Sequence, residues 1–400
     1  MKRHARWTAA AVGIAGLSLL ATACASPAGS GATPASSEPA AASPATGRVA
    51  VAYPGGIAVL DPETLEIVDE FETEEFTRLN PFGDGSTVAV TTSAGFQMLD
   101  TATPALTDVV FDATTPGHVV VHEGTTVLYD DGTGTTTILD TDAFADGFDA
   151  TPETTTYVAD AAHHGVSIVL GDGELLTTVG DETARTGAVA LHPHDDHWDQ
   201  HASSDACPGI HGEGTAKDEA VVFGCENGAL LFVDDEFVKL TAPDEYGRMG
   251  NAFVTETSPI VVGDYKNDPD AEGYLLGAVA LIDTATRDFR VVELPDEVRY
   301  TFRDVARGPG DLAYILSTDG KIHVLDPETG DLVDAHPVIA AWEGPAQWQD
   351  AHPAIKVNGD IAYVTEPAAN AVHAVDLTTG EVTASVTLDH TPNEMAVALG

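Results

Sequence analysis

The sequence predicts an all-β fold: a single β-propeller of eight blades, each of four antiparallel strands. Three observations predict it. From residue 47 onward the 400-residue chain is short alternating apolar strands separated by Gly, Asp, Thr and Pro turns, with no sustained helical period. One pattern, an apolar strand running into a turn started by Asp, recurs eight times. The two ends of this region look like parts of one blade, which closes the ring and leaves no free sheet edge.

The copies begin at Ile57, Phe96, Val127, Val166, Leu230, Val279, Ile322 and Val372. The fullest is Ile322-His323-Val324-Leu325-Asp326-Pro327-Glu328-Thr329-Gly330. Asp starts such a turn because its carboxylate accepts from backbone N–H groups ahead of it, and Gly takes the positive φ. Another strand precedes each copy, as in Leu312-Ala313-Tyr314-Ile315-Leu316 and Ile361-Ala362-Tyr363-Val364-Thr365. The chain enters with Val49-Ala50-Val51-Ala52-Tyr53, a middle strand, and finishes with Met395-Ala396-Val397-Ala398-Leu399, an innermost one. Seven blades result if two weak copies share a blade. A β-solenoid is the rival, but its repeats would be shorter.

Residues 1–23 read as an export signal: Lys2, Arg3 and Arg6, then an apolar run to Leu20, then small residues before Cys24. Leu20-Ala21-Thr22-Ala23-Cys24 resembles a bacterial lipobox, which implies cleavage before Cys24 and its acylation. Ala21 departs from the usual Leu three positions before the Cys. Residues 24–46 are almost all Ala, Ser, Pro, Gly and Thr, a tether composition. The folded region is then 47–400. The expected location is the outer face of the cell membrane, held only by the lipid anchor, or else secreted or periplasmic. An oxidising compartment suits a Cys207–Cys225 disulfide; the rival is a thiolate metal pair, though the spacing is not that of a zinc knuckle.

Charge narrows the function. With 64 acidic and 17 basic side chains the net charge is −47, and loss of the signal makes it −50. Such a chain has no footprint for nucleic acid or anionic lipid, whose phosphates need Lys and Arg. Cations and basic partners are its natural guests.

Of fifteen histidines, nine lie between His118 and His211. Leu191-His192-Pro193-His194-Asp195-Asp196-His197-Trp198-Asp199-Gln200-His201 packs imidazoles and carboxylates into one run, a donor set for Zn²⁺ that also suits Cu²⁺ or Ni²⁺. With blade strands labelled a to d from axis to rim, the d–a and b–c connections emerge on one face and the a–b and c–d turns on the other. His118, His211, His352 and His390 are expected where innermost strands start, with Arg248 and Arg303 at comparable places. His163 and His164 are expected in a b–c loop, and residues 192–201 in a d–a loop. All of these would share one face, so the metal-site candidates are His118, His163, His164, His194, His197, His201, His211, His352 and His390. Zinc binding is expected to weaken as pH falls toward about 6, where free imidazole protonates.

The repeat resembles surface-layer and quinoprotein-like propellers. The exported propeller, the His run, Cys207-Pro208-Gly209-Ile210-His211-Gly212-Glu213-Gly214 and the closing His390-Thr391-Pro392-Asn393-Glu394-Met395-Ala396 together resemble the AztD-type zinc metallochaperones. The resemblance covers about residues 47–400. It implies an extracytoplasmic zinc-binding protein, not an enzyme, whose partner is the solute-binding protein of a zinc ABC importer, and the chain itself is expected to be a monomer. Two other readings compete. A metal-assisted hydrolase, lactonase or lyase would use Glu213 as base and Arg248 or Arg303 to hold a carboxylate, although no Gly-x-Ser-x-Gly or His-Glu-x-x-His spacing occurs. In an interaction scaffold the histidines would be incidental.

Overall fold

The computed structural model describes residues 47–194 and 197–399. They form eight sheets, each built on four consecutive antiparallel strands, with three short 3-10 turns and no α-helix. Innermost strands of neighbouring blades pack side by side, as Ala354–Asn358 does on Val305–Arg307 and on Met395–Val397. The ring closes as the sequence predicts. Met395–Val397 is the innermost strand of the blade that continues outward through Val49–Tyr53, Gly56–Leu60 and Ile67–Glu72.

Strand periodicity explains why these strands are apolar on both faces. Val49 and Val51 pack with Tyr363, Val372 and Met395 on the last blade's side. Ala50 and Ala52 point the other way, among Leu79, Val88 and Val90 of the second blade. A blade buried on both faces reads as a nearly continuous hydrophobic run, and only its outermost strand, such as Ile67–Glu72, is exposed and polar.

The Asp turns behave as their chemistry requires. Asp61 Oδ1 accepts from the Thr64 N–H at 2.9 Å, and Asp376 Oδ1 from the Thr378 N–H at 2.8 Å. Gly330 and Gly380 close their turns at φ 84° and 73°. Six of the eight sequence copies lie on the third strand of a blade, and two are out of phase. Val127 lies on the second strand of the third blade, Thr125–Asp130, and Val166 leads into the innermost strand of the fourth, Ser167–Val169. In both places an Asp-Gly turn of another kind imitates the repeat.

That phase error moves two predicted features. His163 and His164 fall between Thr155–Val158 and Ser167–Val169, a d–a connection rather than a b–c loop. The His run joins Arg185–Pro193 to Trp198–Ser204, the third and fourth strands of the fourth blade. It is a c–d hairpin, so it emerges on the face opposite His118, His164 and His211, not beside them. Of the run, Asp195 and Asp196 lie outside the described residues, as do Cys24, the signal and the tether.

Candidate metal centre

Three imidazoles meet at the mouth of the ring. His118, His164 and His211 each offer a nitrogen within 4.8 Å of the other two. Their ring centroids lie 5.0 to 5.3 Å apart. Two of them are aimed by the same device. Pairing shifts register between Pro116 and Val119 and again between His211 and Glu213, at the starts of two innermost strands. A bulge there turns a side chain out of the blade-to-blade packing and toward the axis.

Neighbouring groups fix each ring. The His211 Nδ1–H donates to the Gly250 carbonyl at 2.6 Å, which leaves Nε2 with its lone pair free. Gly212, at φ 62°, permits that approach: a Cβ there would sit 2.4 Å from the same carbonyl oxygen. Asp131, in the b–c turn of the third blade, contacts His164 Nδ1 through Oδ2 at 2.5 Å and accepts from the Gly165 N–H at 3.2 Å. A carboxylate behind an imidazole orients the ring and raises its basicity as a ligand. Burial pushes His211 down to about 3 and His118 well below the ordinary imidazole range, with the nearby cations Arg78, Arg185 and Arg248 adding to it. Both rings are therefore neutral at physiological pH, the form that binds metal.

The sulfur bond lies beside them. Cys207, in the connection leading to His211, is bonded to Cys225, at the end of the next strand of the same blade. The imidazoles line a cavity of about 530 Å³, with Arg78, Arg248 and Lys266 on its wall and Tyr246, Tyr274 and Trp348 around it.

The other sequence candidates separate from this centre. His163 is buried and fully used: Nδ1 donates to the Ala161 carbonyl at 2.9 Å, and Nε2 meets Thr178 at 3.0 Å and Tyr129 at 3.2 Å. His352 is on the mouth face as expected and 2% exposed, with Nδ1 donating to the Asp350 carbonyl at 2.7 Å. Its Nε2 has no hydrogen-bond partner among the described residues, and burial pushes its pKa down to about 4. His390 stacks on Tyr53 at 4.2 Å. Arg303 is buried against Glu394 at 2.6 Å.

Two further donor groups sit on the opposite face. Glu174, His192 and His201 form one, with the His192 and His201 rings stacked at 4.2 Å and His201 Nε2 against Glu174 Oε1. His194, His197 and Asp199 form the other, with Asp199 oxygens 3.2 and 3.4 Å from the two imidazoles. Glu174 escapes a reading of the sequence because it belongs to the a–b turn of its blade, 18 residues before His192. Asp131 and the Gly250 carbonyl escape it too: nothing in their local sequence points at a histidine. The pairing of Asp131 with His164 becomes visible only once blade order is known.

No protein-family model matches the chain. It is 24% identical over 303 residues to the zinc chaperone AztD of Citrobacter koseri, covering 76% of this chain and 70% of that protein. Among solved structures, apo AztD from Citrobacter koseri superposes with a TM-score of 0.71 at 21% identity, over 87% of this chain and 96% of that one. A second Citrobacter koseri AztD structure gives 0.70 at 19%, with the same coverage. The dihydro-heme d1 dehydrogenase NirN gives 0.61 at 14% identity over 90% of this chain and 77% of that one, a likeness of fold alone. The chain is a distant sequence relative of a protein named as a zinc chaperone rather than an enzyme, and it has the eight-bladed fold of that protein's solved structures.

Proposed function

We propose that this protein is an exported zinc chaperone that takes Zn²⁺ at the mouth of the propeller and hands it to the solute-binding protein of an ABC importer. The observation that carries the reading is the His118, His164 and His211 trio, two of its members held neutral by burial and two oriented by fixed partners. Three nitrogen donors suit Zn²⁺ and leave the fourth tetrahedral position open.

An open position is what transfer needs. A ligand from the acceptor enters there first, and the three imidazoles then leave one at a time. His164 is the natural first to leave, because its side chain is 43% exposed while His118 and His211 are set deeper at their strand starts. His192, His201 and Glu174, with His194, His197 and Asp199, form a separate collecting surface on the opposite face. They do not exchange ligands directly with the mouth. Cleavage before Cys24, its acylation and the 24–46 tether would keep a monomeric chaperone at the outer face of the membrane.

Calorimetric titration of metal-free protein with Zn²⁺ tests the reading. A mouth site holds zinc far more tightly than millimolar, the level that corresponds to about 4 kcal/mol. The His118→Ala and His211→Ala variants lose that tight phase, while His192→Ala and His201→Ala keep it. Millimolar binding in the unaltered protein sinks the proposal.

A further inference from the structure

The wall around the three imidazoles carries the wrong sign for a bare cation. The chain has 64 acids and 17 bases, yet three of those bases, Arg78, Arg248 and Lys266, line the cavity that holds His118, His164 and His211. The one carboxylate lining it among the described residues is Asp264, and it is already engaged: it is 6% exposed and accepts from the N–H groups of Gly250 and Asn251 and from the Asn251 side chain.

Among the described residues none of the three cations has a carboxylate in close contact. Arg248 donates to the Gly209 carbonyl at 3.3 Å and Lys266 to the Ala271 carbonyl at 3.1 Å, and neither makes an ion pair among the described residues. Arg78 reaches a carboxylate, Glu394, only at 4.0 Å, and that carboxylate is held at 2.6 Å by Arg303. A divalent ion bound by three neutral imidazoles would add two more positive charges to this wall, offset only in part by Asp131 behind His164 and by the buried Asp264. Arranged this way, the cavity suits a metal that arrives with its own negative charge.

We propose that the mouth takes zinc together with a small polycarboxylate anion. This rests on the trio being the zinc site. The three imidazoles hold the ion and one carboxylate of the anion takes the fourth position. Arg248, Arg78 and Lys266 hold the remaining carboxylates, Arg through its planar fork. Several cations call for several carboxylates rather than one. Tyr246, Tyr274, Leu276, Phe302 and Trp348 give the cavity apolar walls, which fit a carbon skeleton better than an inorganic anion, and about 530 Å³ is room for one. The anion would leave with the zinc or be displaced by the acceptor's ligand.

Co²⁺ in place of zinc reads both steps in the full-length protein. A visible d–d band that appears on adding Co²⁺ and is lost in His118→Ala establishes the metal centre. Acetate, succinate and tricarballylate are then titrated at fixed pH and ionic strength. The expected result is a saturable shift of the band, with tricarballylate at least tenfold tighter than acetate. That advantage falls about tenfold in Arg248→Gln and in Lys266→Gln, each checked by near-UV circular dichroism for an intact fold. A Co²⁺ band that no carboxylate shifts overturns this inference and leaves the zinc site standing. Tricarballylate binding no better than acetate overturns it too, since the donor is then a single carboxylate such as an acceptor's side chain. Absence of the band overturns both readings.

Discussion

At the residue scale the candidate centre is shaped by groups that would not themselves touch a metal. The two oxygens of Asp131 face His164 Nδ1 and the Gly165 N–H. Asp131→Asn should weaken zinc at the mouth by about 10- to 100-fold, the usual cost of losing a ligand's orienting partner, without unfolding the chain. Competitive titration with a chelator measures this, and unchanged affinity would assign Asp131 a merely local role. Burial also changes what pH should do. Free imidazole protonates near 6.5, so the sequence alone points to weakening near pH 6. His211 is pushed down to about 3 and His118 is lowered as well, so neither takes up a proton in the fold at pH 6. Their unfolded forms do. Between about 6.5 and 3 the unfolded chain therefore binds a proton at His211 that the fold does not, and the metal-free fold loses stability as pH falls, by up to about 1.4 kcal/mol per pH unit for that ring, with the lowered His118 acting in the same direction. Urea unfolding at pH 7, 5.5 and 4 should show that slope, and His211→Gln should make it shallower.

At the element scale, the disulfide and the His hairpin make separable demands. Cys207 and Cys225 are 18 residues apart and join the connection before His211 to the end of the neighbouring strand. Closing a loop of that size contributes about 3 kcal/mol. The Cys207→Ser/Cys225→Ser double variant should lose roughly that much by denaturant melting and weaken zinc at the mouth, while the His192, His201 and Glu174 group keeps its affinity. Equal losses at both sites would mean that the bridge supports the whole blade rather than the His211 segment. The element scale is also where sequence reading succeeded and failed. His118 and His211 could be placed because each follows a Pro-Gly that interrupts a strand pattern, and their faces follow from counting turns. Blades three and four could not be phased. Their true third strands, Thr135–Asp140 and Arg185–Pro193, lack the Asp-x-x-Thr-Gly turn, and an Asp-Gly turn one or two strands earlier took its place in the count. A shift of one strand exchanges the two faces of a propeller. The total of eight survived because one false copy replaced one true copy in each blade.

At the scale of the whole molecule, the net charge of −47 does not act evenly on the two faces. Among the described residues the hairpin donors Glu174 and Asp199 have no Lys or Arg ion-paired to them, so a cation approaching there meets the acidic field directly. The mouth lies behind Arg78, Arg248 and Lys266, which cancel that field locally. The screening length contracts from about 30 Å at 0.01 M salt to about 8 Å at 0.15 M, so a long-range attraction is largely lost over that range. Steered association can exceed the unsteered rate by 10- to 1,000-fold. The two sites should therefore differ in how salt affects zinc capture. Stopped-flow measurement on His118→Ala, which retains the hairpin donors, should show a steep fall in on-rate as salt rises. The His192→Ala/His194→Ala/His197→Ala/His201→Ala variant, which removes the hairpin imidazoles and retains the mouth, should show a weak dependence. Equal slopes would mean that the mouth cations are too well hydrated to shield the imidazoles, and the acidic surface would then draw zinc to both ends of the ring alike. A flat response at both would remove steering altogether and leave the acids as a device for solubility.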